Sequence, residues 1–284
     1  MKKKVAFLTT VFPMEIEYLL DFFNSLERQT YQYFDVVVVN DGYVGFEDII
    51  NQYPEINIIE LKYSDTRAKN REYGINYVIN NHYDILIFGD SDDYFKENRV
   101  EISLIKLLEY DIVINDLSLF NGDDIFSRHY ISNRISNNTE IDLEFIKDKN
   151  IFGMSNSAIK LGKLEEISFD KELIAIDWYL FSILLIKGDK ALFTTETETF
   201  YRQHGENIIG MGSITEEFIL KGIDLKLRQY KILVKQNTSY NALLAKMVEL
   251  QKKVQEKEIM YLLKNQDIKY PLWWEEIKLI KEKI

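Results

Sequence analysis

Three carboxylates crowd into four residues at Asp90-Ser91-Asp92-Asp93. Like charges that close repel one another, and a bound divalent cation, which prefers oxygen ligands, removes that cost. The cluster directly follows Tyr83-Asp84-Ile85-Leu86-Ile87-Phe88-Gly89, a short apolar run with β-branched and aromatic residues that reads as a strand. The carboxylates therefore stand at the carboxyl end of a sheet strand, where open α/β sheets bind ligands. A solvated acidic turn is the alternative, and it suffices for an isolated D-x-D. An EF-hand does not fit, because Asp90 to Phe95 lacks both the oxygen ligand at position five and glycine at position six. Further chemistry-bearing residues are Asp41 in Asn40-Asp41-Gly42, Asp177 before Trp178, and His204 in Tyr201-Arg202-Gln203-His204-Gly205.

The elements that must position these groups alternate. Lys4 to Thr10 reads as a buried strand, Met14 to Gln29 as a helix striped by Leu19, Leu20, Phe22, Phe23 and Leu26, and Phe34 to Val39 as a strand buried on both faces. Ile56 to Leu61 is the third strand, Thr66 to Asn81 a helix capped by Asp65 or Thr66, and Asp84 to Phe88 the fourth strand. A helix over Asn98 to Glu109 and a strand over Asp111 to Asn115 follow. This is the βαβ signature of a largely parallel, doubly wound sheet. Leu117 to Arg134 reads as a hairpin or meander turning at Asn121-Gly122. Ile141 to Lys147 is a short helix, Gly153 to Ser157 a polar, flexible loop, Asp177 to Lys187 a helix, and Ala191 to Phe200 the last strand. Beyond Ser213 the chain reads as helices over Thr215 to Lys235, Tyr240 to Lys264, and Pro271 to the end.

Composition narrows the class. The 284 residues are 46% hydrophobic and 29% charged, with 3 Pro and 12 Gly, an ordinary globular balance. Without cysteine there is no disulfide, thiol nucleophile or Cys-ligated metal, in keeping with a reducing, cytoplasmic compartment. The net charge of −11 argues against nonspecific nucleic-acid binding. It is uneven: residues 213–284 hold 14 Lys+Arg against 10 Asp+Glu, +4, which leaves −15 for the rest. No apolar run approaches the roughly 20 residues of a membrane span. The run Val5 to Val11 passes directly into Phe12-Pro13 and acidic residues, so the start reads as a first strand rather than a signal peptide.

A first strand ending Thr9-Thr10, a second ending Asn40-Asp41-Gly42, a fourth ending Asp90-Ser91-Asp92-Asp93, and the later Asp177-Trp178 and Tyr201-Arg202-Gln203-His204-Gly205-Glu206-Asn207 occur in the order and spacing of the family 2 glycosyltransferases. The chain resembles that family over about residues 3–212. The resemblance implies a GT-A type, Rossmann-like α/β fold over residues 1–212, with a helical C-terminal extension over 213–284. It implies an inverting, metal-dependent transfer from a UDP- or dTDP-sugar to a hydroxyl of a saccharide, a lipid-linked saccharide or a protein glycan, as in a bacterial surface polysaccharide. Thr9, Thr10 and Asp41 would contact the nucleoside. Arg67 and Arg71, at i and i+4 on one helix face, would approach the nucleotide, together with Asp90, Ser91 and Asp92. The family's usual Ala-Arg-Asn reads here Ala68-Lys69-Asn70. Manganese or magnesium would sit on Asp92 and Asp93, or Asp90 and Asp92, with His204, neutralising the diphosphate in the absence of any G-x-x-x-x-G-K-[ST] loop. Asp177 matches the position of the family's catalytic base, with Ile176 where many relatives have Glu. Trp178, Ser155 and Asn156 would touch the sugars.

Two other classes remain open on the residues alone. A sugar nucleotidyltransferase would carry a glycine-rich basic loop after the first strand, whereas Thr9-Thr10-Val11-Phe12-Pro13 has no glycine. A non-catalytic nucleotide- or carbohydrate-binding module of the same fold would have no need of Asp177. The tail Pro271-Leu272-Trp273-Trp274-Glu275-Glu276-Ile277-Lys278-Leu279-Ile280-Lys281 mixes aromatic, aliphatic and basic residues at helical spacing. It suits a peripheral membrane contact, a helix packed back on the protein, or a homo-oligomer interface.

Overall fold

The computed structural model describes residues 3–122, 124–162, 164–203 and 214–278. The chain divides into two compact units by contact rather than by chain order. One comprises Met1–Glu140, Gly153–Phe169 and Lys190–Gly205; the other Ile141–Phe152, Asp170–Asp189 and Glu206–Ile284. The second unit thus takes in residues on both sides of position 212.

In the first unit, β1 (Val5–Val11), β2 (Asp35–Asn40), β3 (Asn57–Lys62) and β4 (Ile85–Phe88) run parallel in the order β3-β2-β1-β4. The strand order reverses beside β1, between β2 and β4, which is the topological switch point at which such sheets take ligands. Every residue of β1 and β4 is buried, as unbroken apolar strands covered on both faces should be. The helices α1 (Ile16–Glu27), α2 (Phe46–Ile50) and α3 (Arg67–Asn80) connect them. α1 buries Leu19, Phe22, Phe23 and Leu26, an i, i+3, i+4, i+7 stripe, and α3 opens with Thr66 accepting from the Lys69 amide.

The other half of the sheet is mixed. β5 (Tyr94–Phe95) lies at one edge, antiparallel to β10 (Ala191–Arg202). α4 (Arg99–Lys106) leads to β6 (Ile112–Asn121), which is parallel to β10 and antiparallel to β9 (Ser157–Lys160); β9 is in turn antiparallel to β4. β7 (Asp124–Ser127) completes the hairpin expected at Asn121-Gly122, and β8 (Thr139–Ile141) pairs with β10. β6 runs well past the expected Asn115, because its far half pairs with the end of β10. Gly153 to Ser157, expected to be polar and flexible, is buried throughout.

The second unit holds α5 (Leu143–Ile146), α6 (Ile176–Ile186), α7 (Glu216–Leu233), α8 (Asn241–Lys253) and α9 (Lys257–Lys264). The single helix expected over Tyr240 to Lys264 breaks after Lys253, and Leu272 to Lys278 is not helical. There a turn and one antiparallel bridge, Trp273 to Asn150, replace the expected amphipathic helix.

Candidate active site

The sheet's switch point brings together the candidate residues of the first unit. At the end of β1 the side chains of Thr9 and Thr10 are buried, and neither hydroxyl has a hydrogen-bond partner among the described residues. The Thr10 carbonyl accepts from the Ser91 hydroxyl at 2.8 Å, tying β1 to the acidic turn. After β2, Asp41 extends the β1–β2 ladder through its amide to the Val11 carbonyl (2.7 Å). Its carboxylate accepts from Asn70 Nδ2 at 2.7 Å. Asn70 is wholly buried and also accepts from the Asp65 amide, so α3 fixes the orientation of Asp41. Asn70 has no part in the sequence reading beyond its place in Ala68-Lys69-Asn70, since sequence spacing alone does not show which way an amide points.

The acidic turn begins where only glycine fits: a Cβ on Gly89 would collide with the Phe7 ring and come within 2.7 Å of Phe95 Cζ. Arg71 makes an ion pair with Asp90, and Arg67, one turn earlier, adds a weaker attraction to the same carboxylate. Burial nonetheless holds the Asp90 carboxyl above its ordinary range; Arg71 opposes this and Asp92 reinforces it. Arg71 Nη1 is buried without a partner among the described residues, an unsatisfied donor on the guanidinium that pairs with Asp90.

Asp93 has a different task. One carboxylate oxygen accepts from the Ser155 hydroxyl and the other from the Arg202 amide at 2.7 Å. Burial, then Asp92 and Asp90, push its carboxyl well above the ordinary range. Arg202 reads the turn a second time through Nε to the Asp92 carbonyl (2.7 Å). It pairs with Asp21 of α1 at 2.6 Å and lies between the rings of Tyr18 and Phe120. Its position inside Tyr201-Arg202-Gln203-His204 was the only sequence signal for that role. Ser155 and Asn156 are buried, and their side chains hold protein groups: Ser155 holds Asp93, and Asn156 holds the Gly153 amide and the Asn115 carbonyl. The expectation that they touch sugar is corrected accordingly; they build the floor under the turn.

The metal expectation meets a mixed test. Among the described residues no three His, Cys, Asp or Glu side chains are arranged to hold a metal ion. Both Asp93 oxygens are engaged, which moves that residue from ligand to support, and His204 lies outside the described residues. What fits a cation is the remaining electrostatics: the Asp90 carboxyl, raised by burial and by the neighbouring Asp92 carboxylate.

In the second unit, Asp177 lies in the first turn of α6. One carboxylate oxygen accepts from the Trp178 amide at 2.8 Å, and the other lies 3.4 Å from Asn150 Nδ2. Trp178 is fully buried, donates through Nε1 to the Ile146 carbonyl (2.7 Å) and meets Tyr230 edge-on. Burial excludes the expected sugar-stacking role, since no face of the indole is open; Trp178 is core.

The profile of glycosyl transferase family 2 matches residues 10–167, more than half of the chain. The chain belongs to glycosyl transferase family 2. It is 26% identical over 216 residues to Glycosyltransferase GlyA of Streptococcus pneumoniae serotype 4, a match that covers 70% of this chain and 30% of that protein's length. In fold it is similar to S. aureus TarS residues 1–349 in complex with UDP-GlcNAc. The TM-score is 0.60 at 18% identity, over 93% of this chain and 76% of that one. The same S. aureus protein with UDP gives 0.60 at 16% identity. These likenesses establish the GT-A type fold for this family 2 chain. No helix among the described residues is long and apolar enough to cross a membrane.

Proposed function

We propose that this chain transfers a sugar, with inversion, from a uridine diphosphate sugar to a hydroxyl of a saccharide, lipid-linked or protein glycan acceptor. The observation that carries the proposal is the set of unsatisfied donors at the switch point. Arg71 Nη1, on the guanidinium that pairs with Asp90, and the Thr9 and Thr10 hydroxyls at the end of β1 are buried without partners among the described residues. Buried donors left unmade cost about 1–3 kcal/mol each, and a nucleoside diphosphate offers acceptors for them. Uridine is favoured by the UDP and UDP-GlcNAc complexes of TarS, which is similar in fold.

In this reading Asp41 accepts from the base or ribose, and Arg71 and Arg67 bear on the diphosphate. Asp90 and Asp92, with His204, would hold a manganese or magnesium ion. Such an ion supplies Lewis-acid stabilisation of the departing diphosphate. Asp177 is assigned as the base. It takes the acceptor's hydroxyl proton as that oxygen forms its bond to the anomeric carbon; the bond from that carbon to the β-phosphate oxygen breaks, and UDP leaves with the electron pair. The proton remains on Asp177. A peripheral seat at the inner face of the plasma membrane would suit a lipid-linked acceptor.

The test is UDP release from UDP-glucose, UDP-galactose and UDP-N-acetylglucosamine, with and without manganese. Release that disappears in Asp177→Asn supports the proposal. UDP binding without release from any of the three would favour the non-catalytic module.

A further inference from the structure

The C-terminal segment Leu272 to Ile277 is not an exposed amphipathic helix: Leu272, Trp274 and Ile277 are 2%, 5% and 0% exposed. Those three side chains are spent inside the second unit. Its backbone is held in an unusual shape, with Tyr270 at φ +52° and Trp274 at φ +67°. Bulky residues avoid that left-handed region, and they persist there only where surrounding packing over-determines them.

That packing is specific. Trp274 stacks on Phe218 of α7, with rings 5.8 Å apart and 9° from parallel. Ile277 sits on the α7 backbone at Gly222, where a Cβ would come within 2.5 Å of Ile277 Cγ1. One turn further along α7, the buried Lys226 ammonium donates to the carbonyls of Ile277 (2.6 Å) and Asp148 (2.5 Å). It thereby stitches the C-terminal segment to the stretch that leads into Asn150. A second stitch joins Asn150 itself, whose amide donates to the Trp273 carbonyl at 3.0 Å.

Asn150 is 1% exposed, and its side chain is locked from both ends on Phe152. Oδ1 accepts from the Phe152 amide (2.9 Å) and Nδ2 donates to the Phe152 carbonyl (2.7 Å). The Phe152 ring stacks on Phe181 of α6 at 4.5 Å. The remaining Nδ2 hydrogen points at Asp177 Oδ2, 3.4 Å away. At that length it orients more than it binds.

We propose that Leu272 to Ile277 is a strap that positions Asp177, and that Asn150 is the positioning residue through which it acts. The proposal rests on the reading of Asp177 as the base. A base that must meet an acceptor hydroxyl within hydrogen-bond reach loses rate when its carboxylate is free to turn. A neutral amide donor aimed at a carboxylate favours its charged form over its protonated one.

The experiment uses the full chain and three variants, Asn150→Ala, Gly222→Val and Asp177→Asn. Gly222→Val displaces Ile277 without touching Asn150 or Asp177. Each is measured for UDP affinity by calorimetry, for kcat and KM of UDP release, and for the acid limb of the kcat/KM profile against pH. The expected result is a 10- to 100-fold fall in kcat for Asn150→Ala and Gly222→Val, with UDP affinity and donor KM within about twofold of wild type. The acid limb of Asn150→Ala moves to higher pH, which a merely structural defect would not produce. The milder Gly222→Ala covers the case in which Gly222→Val fails to fold, and should show a smaller fall in the same direction. If Asp177→Asn is inactive while Asn150→Ala keeps wild-type kcat and pH profile, the strap is overturned and the base stands. If Asp177→Asn keeps its activity, the base reading itself fails.

Discussion

The two carboxylate settings of this molecule solve opposite problems. In the first unit, Asp90 is half-buried and Asp93 fully buried, and both are crowded, so their charged forms are costly and protein donors from three separate stretches are recruited: Arg71 of α3, Ser155 and Arg202. In the second unit, Asp177 stands at the start of a helix, where its donors include the Trp178 backbone and the Asn150 side chain. A crowded acidic turn suits a cation and a diphosphate; a separately oriented carboxylate suits proton transfer. The contrast teaches that acidity in a family 2 chain is not one feature. Its role follows from whether the neighbours are other acids or neutral donors.

The sharpest way to break the comparison is Asp177→Asn. Turnover should fall about 10²- to 10⁴-fold, the range of a lost general base, with UDP affinity unchanged; stopped assays of UDP release measure it. Next is Arg71→Ala, which strands the Asp90 carboxylate and removes an unsatisfied donor. UDP should bind at least about tenfold more weakly, and stability should fall by about 1–3 kcal/mol in urea unfolding.

A third prediction concerns Lys226, whose pKa burial lowers to about 7, with Asp148 and Glu276 opposing and Lys278 and Lys149 adding to the fall. Below that pH both folded and unfolded states carry the proton. Above it, and up to the ordinary lysine range, the unfolded state binds the proton that the folded state has released. Stability contributed at this site therefore rises with pH from about 7 to about 10, by on the order of 1 kcal/mol per unit, and Lys226→Met should remove that rise. Melting temperatures across the window measure it.

The smallest effect is expected for Asp93→Asn. Asp93 has a raised pKa, so its stabilising protonated form is lost as pH rises through that value. The amide keeps the shape and removes the charge. The variant should melt at or a few degrees above wild type at pH 8 without metal, and at the same temperature under mildly acidic conditions.

Much of this was legible in the sequence. Apolar runs ending in Thr10, Asn40-Asp41 and Asp90 located β1, β2 and β4 to within a residue or two, because strands covered on both faces need unbroken apolar runs. Thr66 was readable as a cap, and Asn121-Gly122 as a turn. What stayed hidden was direction. Ser155 and Asn156 read as polar loop residues, yet both are buried, because the sheet's second half closes over them. Trp178 reads equally as platform or core until Ile146 and Tyr230 enclose it. Arg202 and Asn70 act through long-range partners, Asp21 and Asp41, that no local pattern announces. The tail has helical spacing, but glycine at 222 and lysine at 226 draw it onto α7 in a non-helical shape.

The most direct measurement is calorimetric titration of UDP, at fixed manganese, into wild type, Asp177→Asn and Arg71→Ala. The account predicts one site with equal affinity in wild type and Asp177→Asn, weakened at least about tenfold in Arg71→Ala. No binding to the wild-type chain, or binding by Arg71→Ala as tight as wild type, would contradict it.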